Sequence, residues 1–158
     1  MTVARISETL IRQARAGEAN MLTELALRSK THWGYDEQFI KGCRNELTIT
    51  QKQISDGNCF VMVQQGRIAG FYNLTPRSEE EVELEHLFIE LEFIGQGFGK
   101  MLWRHATGEA RKLGFSRMQV LSDPYAEEFY LAMGAKRVGE VISSIRQGRM
   151  LPLMSFEL

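Results

Sequence analysis

The segment from Glu81 to Gly114 constrains this chain more than any other. It reads as an alternating strand over 82–89, then Gly95-Gln-Gly97-Phe-Gly99-Lys100, then a helix with Phe98, Leu102, Ala106, Ala110 and Leu113 on one face and Gly114 past its end. A strand, a glycine loop and a helix in that order require a sheet with a helix packed on it, which is an α/β arrangement. Glycines at alternate positions before a helix let the backbone approach a phosphate that side chains would hold off. The amides and dipole of the helix start add to the attraction. The expectation is a phosphate-bearing ligand, not yet specified.

Two familiar phosphate loops do not fit. A P-loop needs GxxxxGK followed by Ser or Thr, but Met101 follows Gly99-Lys100 and residue 94 is Ile. A dinucleotide fingerprint needs GxGxxG directly after its strand. Here the spacing is GxGxG, residues separate Ile89 from Gly95, and two strands come before the unit. Asp123 does follow the next strand, as a ribose-binding acid would, but Pro124 beside it reads better as the first residue of a helix that Asp123 caps.

The rest of the chain of 158 residues fits one domain, 1–158, with no internal repeat or linker. A helix is expected over about Asn20–Ser29 and a second near Asp36–Glu46, with an edge strand at 3–6. Cys59–Val63 and Ile68–Tyr72 read as a hairpin through Gln65-Gly66, and Gly70 marks a bulge or a close approach of backbone. Strands at Ser116–Leu121, Arg137–Ile142 and Leu151–Leu158, and a helix from Asp123 with Ala126, Phe129, Tyr130 and Met133 as its stripe, complete the order β-α-α-β-β-β-α-β-α-β-β.

Charge excludes some functions. Lys plus Arg number 19 against 20 for Asp plus Glu, so no overall field draws nucleic acid or a membrane surface. No apolar run is long enough to span a bilayer, and the N-terminus carries no secretion signal. Cys43 and Cys59 lack metal or redox spacing, which points to a reduced, cytoplasmic interior without a metal.

Taken together, these segments resemble the GNAT acyltransferases. The family's loop pattern, Arg or Gln-x-x-Gly-x-Gly or Ala, is met at both glycines by Ile94-Gly-Gln-Gly97-Phe-Gly99 and missed at Ile94. A second signature helix, Asn-x-x-Ala-x-x-Phe-Tyr-x-x-x-Gly-Phe, is matched by Asp123-Pro-Tyr-Ala126-Glu-Glu-Phe129-Tyr130-Leu-Ala-Met-Gly134-Ala, with Asp123 and Ala135 as variants. The resemblance implies a mixed β-sheet flanked by helices, with a splayed central strand pair formed by 82–89 and 116–121. It further implies acetyl-CoA as acyl donor, transfer to a primary amine in a ternary complex, and no metal. Leu87, Phe88 and Ile89 would then bind pantetheine, Gly95, Gln96, Gly97, Phe98, Gly99 and Lys100 the pyrophosphate, and Asp123, Ala126, Phe129 and Tyr130 would complete the cofactor site. Tyr130 stands where the family's general acid stands.

The residue types supply the remaining chemistry. An amine attacks only when neutral, so a base must take its proton. Strict alternation puts Glu83, Glu85, Leu87 and Ile89 on one face and Leu84, His86 and Phe88 on the other. Both glutamates resemble in position those where the family carries its base, so Glu83 or Glu85 is the expected base, and His86, on the other face, a packed histidine. Repulsion between the two carboxylates would raise one pKa. Neither cysteine has a histidine partner near the motifs, so no covalent acyl-enzyme is expected. Trp33 and Tyr35 are candidates for the acceptor pocket, and Arg146 and Arg149 for an acidic group of the acceptor. The acceptor is a small amine or amino-acid-like molecule, and open sheet edges allow a homodimer. Two other classes remain in view: an acyl-CoA sensor without turnover, and a nucleotide-binding module without CoA.

Overall fold

The alternation of apolar residues resolves into a sheet with a separate hydrophobic cluster on each face. The computed structural model describes residues 9–146 and 148–158, so the strand expected at 3–6 lies outside the described residues. The strands are β1 (Thr9–Gln13), β2 (Cys59–Gln64), β3 (Arg67–Pro76), β4 (Glu81–Ile89), β5 (Arg117–Leu121), β6 (Lys136–Ile142) and β7 (Met150–Glu157). The helices are α1 (Ala19–Lys30), α2 (Glu37–Gly42), α3 (Arg44–Leu47), α4 (Gln51–Ser55), α5 (Phe98–Lys112) and α6 (Glu127–Ala132), with short 3-10 turns at Thr31–Trp33, Leu91–Phe93 and Pro124–Ala126. One mixed sheet runs β1-β2-β3-β4-β5-β7-β6. All its neighbours are antiparallel except β4 and β5.

On one face Phe60, Met62, Tyr72, Leu74, Val82 and Leu84 pack with Phe98, Leu102, Trp103 and Ala106 of α5 and with Tyr130 of α6. On the other, Val61 and Phe71 pack with Leu22, Leu25 and Ala26 of α1, and with Phe39, Leu47 and Ile54 of α2 to α4. Helix α5 sits close because β3 has no side chain at Gly70. A Cβ there would lie 2.7 Å from the Phe88 carbonyl and 3.2 Å from Leu102 Cδ1. The same residue adjoins a bulge, since Met62 pairs with Gly70 and Val63 with Ile68. Both readings of Gly70 therefore hold.

Three expectations shift. The helix over 36–46 is two helices, begun by Asp36, whose carboxylate accepts the Phe39 amide at 2.7 Å. Helix α4, unforeseen, begins with a Thr50–Gln53 capping box. Leu113 is 52% exposed and is not on the buried stripe of α5. It lies past the last helical residue, where Phe115 N–H bonds the Ala110 carbonyl and Gly114 N–H the Arg111 carbonyl, a Schellman ending that turns the chain away.

Candidate active site

The glycines of the loop have two different jobs. Gly95 and Gly97 have φ of +87° and +82°, and a Cβ at either would meet nothing within 4 Å, so conformation rather than space demands glycine. Gly97 caps α5 in the left-handed conformation, and no side chain occupies the cap. The first-turn amides of Phe98, Gly99 and Lys100 thus have no acceptor within their own helix, and no acid stands in that turn. Gly99 is helical and serves packing: a Cβ would sit 3.1 Å from the Phe129 ring. The loop is thereby locked to the 124–132 segment, which ties the two sequence signatures together in space.

Beside this loop the sheet opens. Parallel pairing of β4 with β5 covers only Glu81–Arg117, Val82–Met118 and Glu83–Gln119. Beyond Glu83 the strands part, and among the described residues no strand lies beside the edge of β4 from Leu84 to Ile89 that faces the gap. A bulge sits at the point of parting, because Leu74 pairs with Leu84 and Asn73 with His86, leaving Glu85 without a partner on β3.

That bulge corrects the expected parity of β4. Leu87 and Ile89 pack in the same cluster as Val82 and Leu84, on the α5 side. Phe88 joins the α1 side, and His86 lies with it, its ring 6.4 Å from Phe71 and 6.3 Å from Phe88. Glu83 is paired across the sheet with Thr75, and Glu85 reaches Gln53 of α4, so both carboxylates share the α1 side with His86 rather than a face with Leu87 and Ile89. Strict period-2 counting fails here because one extra residue in a strand shifts every side chain after it.

The two carboxylates have separate partners. Glu83 Oε2 accepts from Arg77 at 3.0 Å. Glu85 Oε2 accepts from Thr75 Oγ1, and at 3.5 Å from both Asn73 and Gln53. His86 is 3% exposed and donates through Nε2 to the Glu46 carbonyl at 2.9 Å, which leaves Nδ1 as the one buried side-chain polar atom without a partner among the described residues. Burial pushes the imidazole pKa down, so the ring is neutral. Tyr130 is buried against Trp103 and Phe129, with centroids at 5.7 and 5.1 Å, and burial pushes its phenol up. Burial also raises the Cys59 thiol to about 12 and raises Cys43, so neither is a ready thiolate.

The far side of the gap is closed by side chains remote in sequence. Arg28 of α1 bonds Glu90, just after β4, at 2.9 Å, and Lys30 bonds Asp123, just after β5, at 3.2 Å, so the end of α1 spans both diverging strands. Asp123 also accepts from Arg149 at 3.1 Å, from the Tyr35 hydroxyl at 3.1 Å and from the Tyr125 amide at 2.9 Å. Trp33 stacks on Tyr125 at 5.5 Å, and Tyr35 meets the same ring edge-on at 5.6 Å. Trp33, Tyr35 and Arg149 are thus brought together, whereas Arg146 pairs with Asp36 nearer the surface.

A family model for the acetyltransferase (GNAT) domain matches residues 15–147. The chain belongs to the GNAT acetyltransferases. Solved structures agree in fold. A GCN5-related N-acetyltransferase from Rhodopseudomonas palustris superposes with a TM-score of 0.75 at 16% identity, covering 99% of this chain and 100% of that one. PaiA N-acetyltransferase from Thermoplasma acidophilum, in complex with coenzyme A, gives 0.72 at 18%, covering 96% and 99%. N-acetylglutamate synthase from Neisseria gonorrhoeae, with coenzyme A and N-acetyl-glutamate, gives 0.70 at 20%; the match takes in 98% of this chain but only 36% of the synthase. No match was found among curated protein sequences.

Within this GNAT domain the splayed strand pair stands between the strands where it was expected. Lys30 and Tyr125 were not singled out, and nothing local marks them: one ends an ordinary helix and the other follows a proline. Two open depressions, of about 470 and 520 Å³, lie elsewhere, over the β2–β3 hairpin and over α2. Strand divergence, not cavity size, locates the site. No helix among the described residues is long and apolar enough to cross a membrane, and no group of three or more His, Cys, Asp or Glu among them is placed to hold a metal.

Proposed function

We propose that this GNAT domain is an N-acetyltransferase that moves an acetyl group from acetyl-CoA to a primary amine of a small or amino-acid-like acceptor, with both molecules bound together. The observation that carries this reading is the parting of β4 from β5 beyond Glu83, beside a helix start whose cap is a left-handed glycine. The donor set suits CoA. Free amides from Gly95 to Lys100 match a pyrophosphate, and the backbone of Leu87, Phe88 and Ile89 along an unpaired strand edge matches the amides of pantetheine. Phe129 adjoins the loop at Gly99 and Ala126 lies one turn before Phe129, while the Asp123 carboxylate is engaged by Lys30, Tyr35 and Arg149 and is turned toward the acceptor side. The CoA complex of PaiA and the amino-acid product held by the Neisseria synthase support donor and acceptor class respectively.

Acetyl-CoA supplies an acyl group activated as a thioester. The protein must hold the acceptor amine neutral. Glu85 is the better-placed base: it occupies the bulge where the strands part, and its three donors all take Oε2. Glu83 sits on the last paired rung and is tied to Arg77. A proton passes from the amine to Glu85 Oε1, directly or through water. Tyr130, kept protonated by burial, offers its hydroxyl proton to the departing sulfur. A backbone amide near Leu87 polarises the acyl oxygen.

The test is released CoA thiol over a panel of amines. Turnover that falls in Glu85→Gln and Tyr130→Phe, with CoA affinity kept, supports the enzyme. Tight CoA binding with no turnover on any amine makes the chain an acyl-CoA sensor instead.

A further inference from the structure

Among the described residues, the cluster around Asp123 has one positive charge more than the carboxylate it shares. Lys30, Asp123 and Arg149 have side chains only 13%, 12% and 13% exposed, and the two cations share the single carboxylate. Tyr35 adds no charge, because burial pushes its phenol up to about 12. The charged neighbours balance in pairs, Arg28 with Glu90 and Arg146 with Asp36, and Glu46 lies exposed on Ser144. A brace between α1 and the end of β5 needs one cation. A second, with its side chain only 13% exposed, is costly unless an anion meets it.

The second cation is also held in a way that aims it. Arg149 Nη2 donates to the Tyr35 hydroxyl at 2.6 Å and to Asp123 Oδ2, and its guanidinium lies 5.2 Å from the Tyr35 ring centroid and 4.9 Å from that of Phe39. Its other terminal nitrogen, Nη1, has among the described residues only Ser143 Oγ, at 3.5 Å. Lys30 lies 5.8 Å over the Tyr35 ring from the other direction. Aromatic faces lower the cost of the extra charge without neutralising it. A planar guanidinium fixed on two rings is a ready partner for a planar carboxylate.

The location gives this charge a use. Asp123 follows β5 on the diverging side of the gap, opposite the β4 edge that carries Glu85. We infer that Lys30 and Arg149, set by Asp123 and Tyr35, bind a carboxylate of the acceptor, so that the substrates are amines bearing an acid, as in free amino acids, rather than plain alkylamines or amides. This rests on the acetyltransferase reading above and narrows its acceptor. Asp123 acts as a positioning residue that holds both cations at the mouth of the gap.

Two readouts on the full chain test it. With acetyl-CoA saturating, each of the common L-amino acids is compared with its own carboxamide and with the matching amine. The acids should be used at least tenfold better in kcat/KM. Arg149→Gln should raise KM for the acids about tenfold or more, leave kcat less changed, and leave the poor amide rate where it was; Arg149→Lys should restore part of the loss. If Arg149→Gln does not fold, Lys30→Gln and the wild-type acid-to-amide ratio carry the same test. The second readout needs no turnover: with CoA present, N-acetyl amino acids should raise the melting temperature more than their amides do. Equal use of acids and amides, or an Arg149→Gln loss that is the same for both, overturns the carboxylate site while leaving the acetyltransferase intact. A melting shift specific to acids with no turnover on any amine does the reverse. No shift and no turnover with any acid overturns the carboxylate site as well.

Discussion

The two walls of the gap are built by different means. The wall proposed for the donor, from β4 through the glycine loop to α5, offers backbone: a strand edge beyond the paired rungs with β5, two glycines at positive φ, and free amides at a helix start. The wall proposed for the acceptor is made of side chains from Lys30, Tyr35, Asp123 and Arg149, drawn from separate segments and joined by ion pairs and hydrogen bonds to the Asp123 carboxylate. Backbone recognition depends on conformation, which glycine spacing writes into a short stretch of sequence. Side-chain recognition depends on which distant segments meet, and no short stretch records that.

This contrast can be broken first at the bulge between the walls. Glu85→Gln is expected to lower kcat by about 10²–10⁴, the usual worth of a positioned base, while isothermal titration shows unchanged CoA affinity. A similar loss in Glu83→Gln with none in Glu85→Gln would move the base one rung down the strand. Next is the donor wall itself. Gly97→Val forces a β-branched residue to a φ near +82°, and strain of about 1–3 kcal/mol should weaken CoA binding by roughly 5- to 150-fold. Gly99→Ala should cost less, since its Cβ meets only the edge of the Phe129 ring at 3.1 Å and that ring can yield. If the two variants weaken CoA equally, the loop acts through packing and the distinction between its glycines fails.

A smaller effect concerns pH. His86 is buried neutral, with its folded pKa below the unfolded value near 6.5. The unfolded chain therefore binds a proton that the folded chain refuses as pH falls below about 6.5, and stability drops from there down toward the folded pKa. Melting temperature measured from pH 7.5 to 5 should fall more steeply in the wild type than in His86→Gln, which can still donate to the Glu46 carbonyl. Smallest of all, iodoacetamide should leave native activity unchanged, because burial keeps Cys43 and Cys59 as thiols. Rapid inactivation would point to a covalent route that neither wall supports.

Particular residues show how far the sequence could be read. The hairpin at Gln65-Gly66 and the stop at Gly114 were both visible, since each is a local contest between a few dihedrals and hydrogen bonds. The helix over 36–46 was seen but not its division, and α4 and β1 were missed, being short segments whose place is set by what they pack on. His86 is the most instructive. Its face was misread because a bulge at Glu85 depends on how β4 pairs with β3, which the sequence of β4 alone does not show. Arg149 was noticed as an arginine in a loop, and only packing against Tyr35 and Phe39 sets it apart from Arg146, which stays nearer solvent on Asp36.

By itself, then, the sequence determined a sheet-and-helix domain, a glycine loop at a helix start and the strand pair that splays beside it, because periodicity, glycine conformation and helix caps act over a few neighbouring residues. Tertiary structure alone decided which face of β4 carries the carboxylates and His86, and that two cations converge on Asp123. Those facts depend on strand register and on contacts between residues 26 to 114 positions apart, where the free energy comes from burial and charge pairing after the chain has closed on itself.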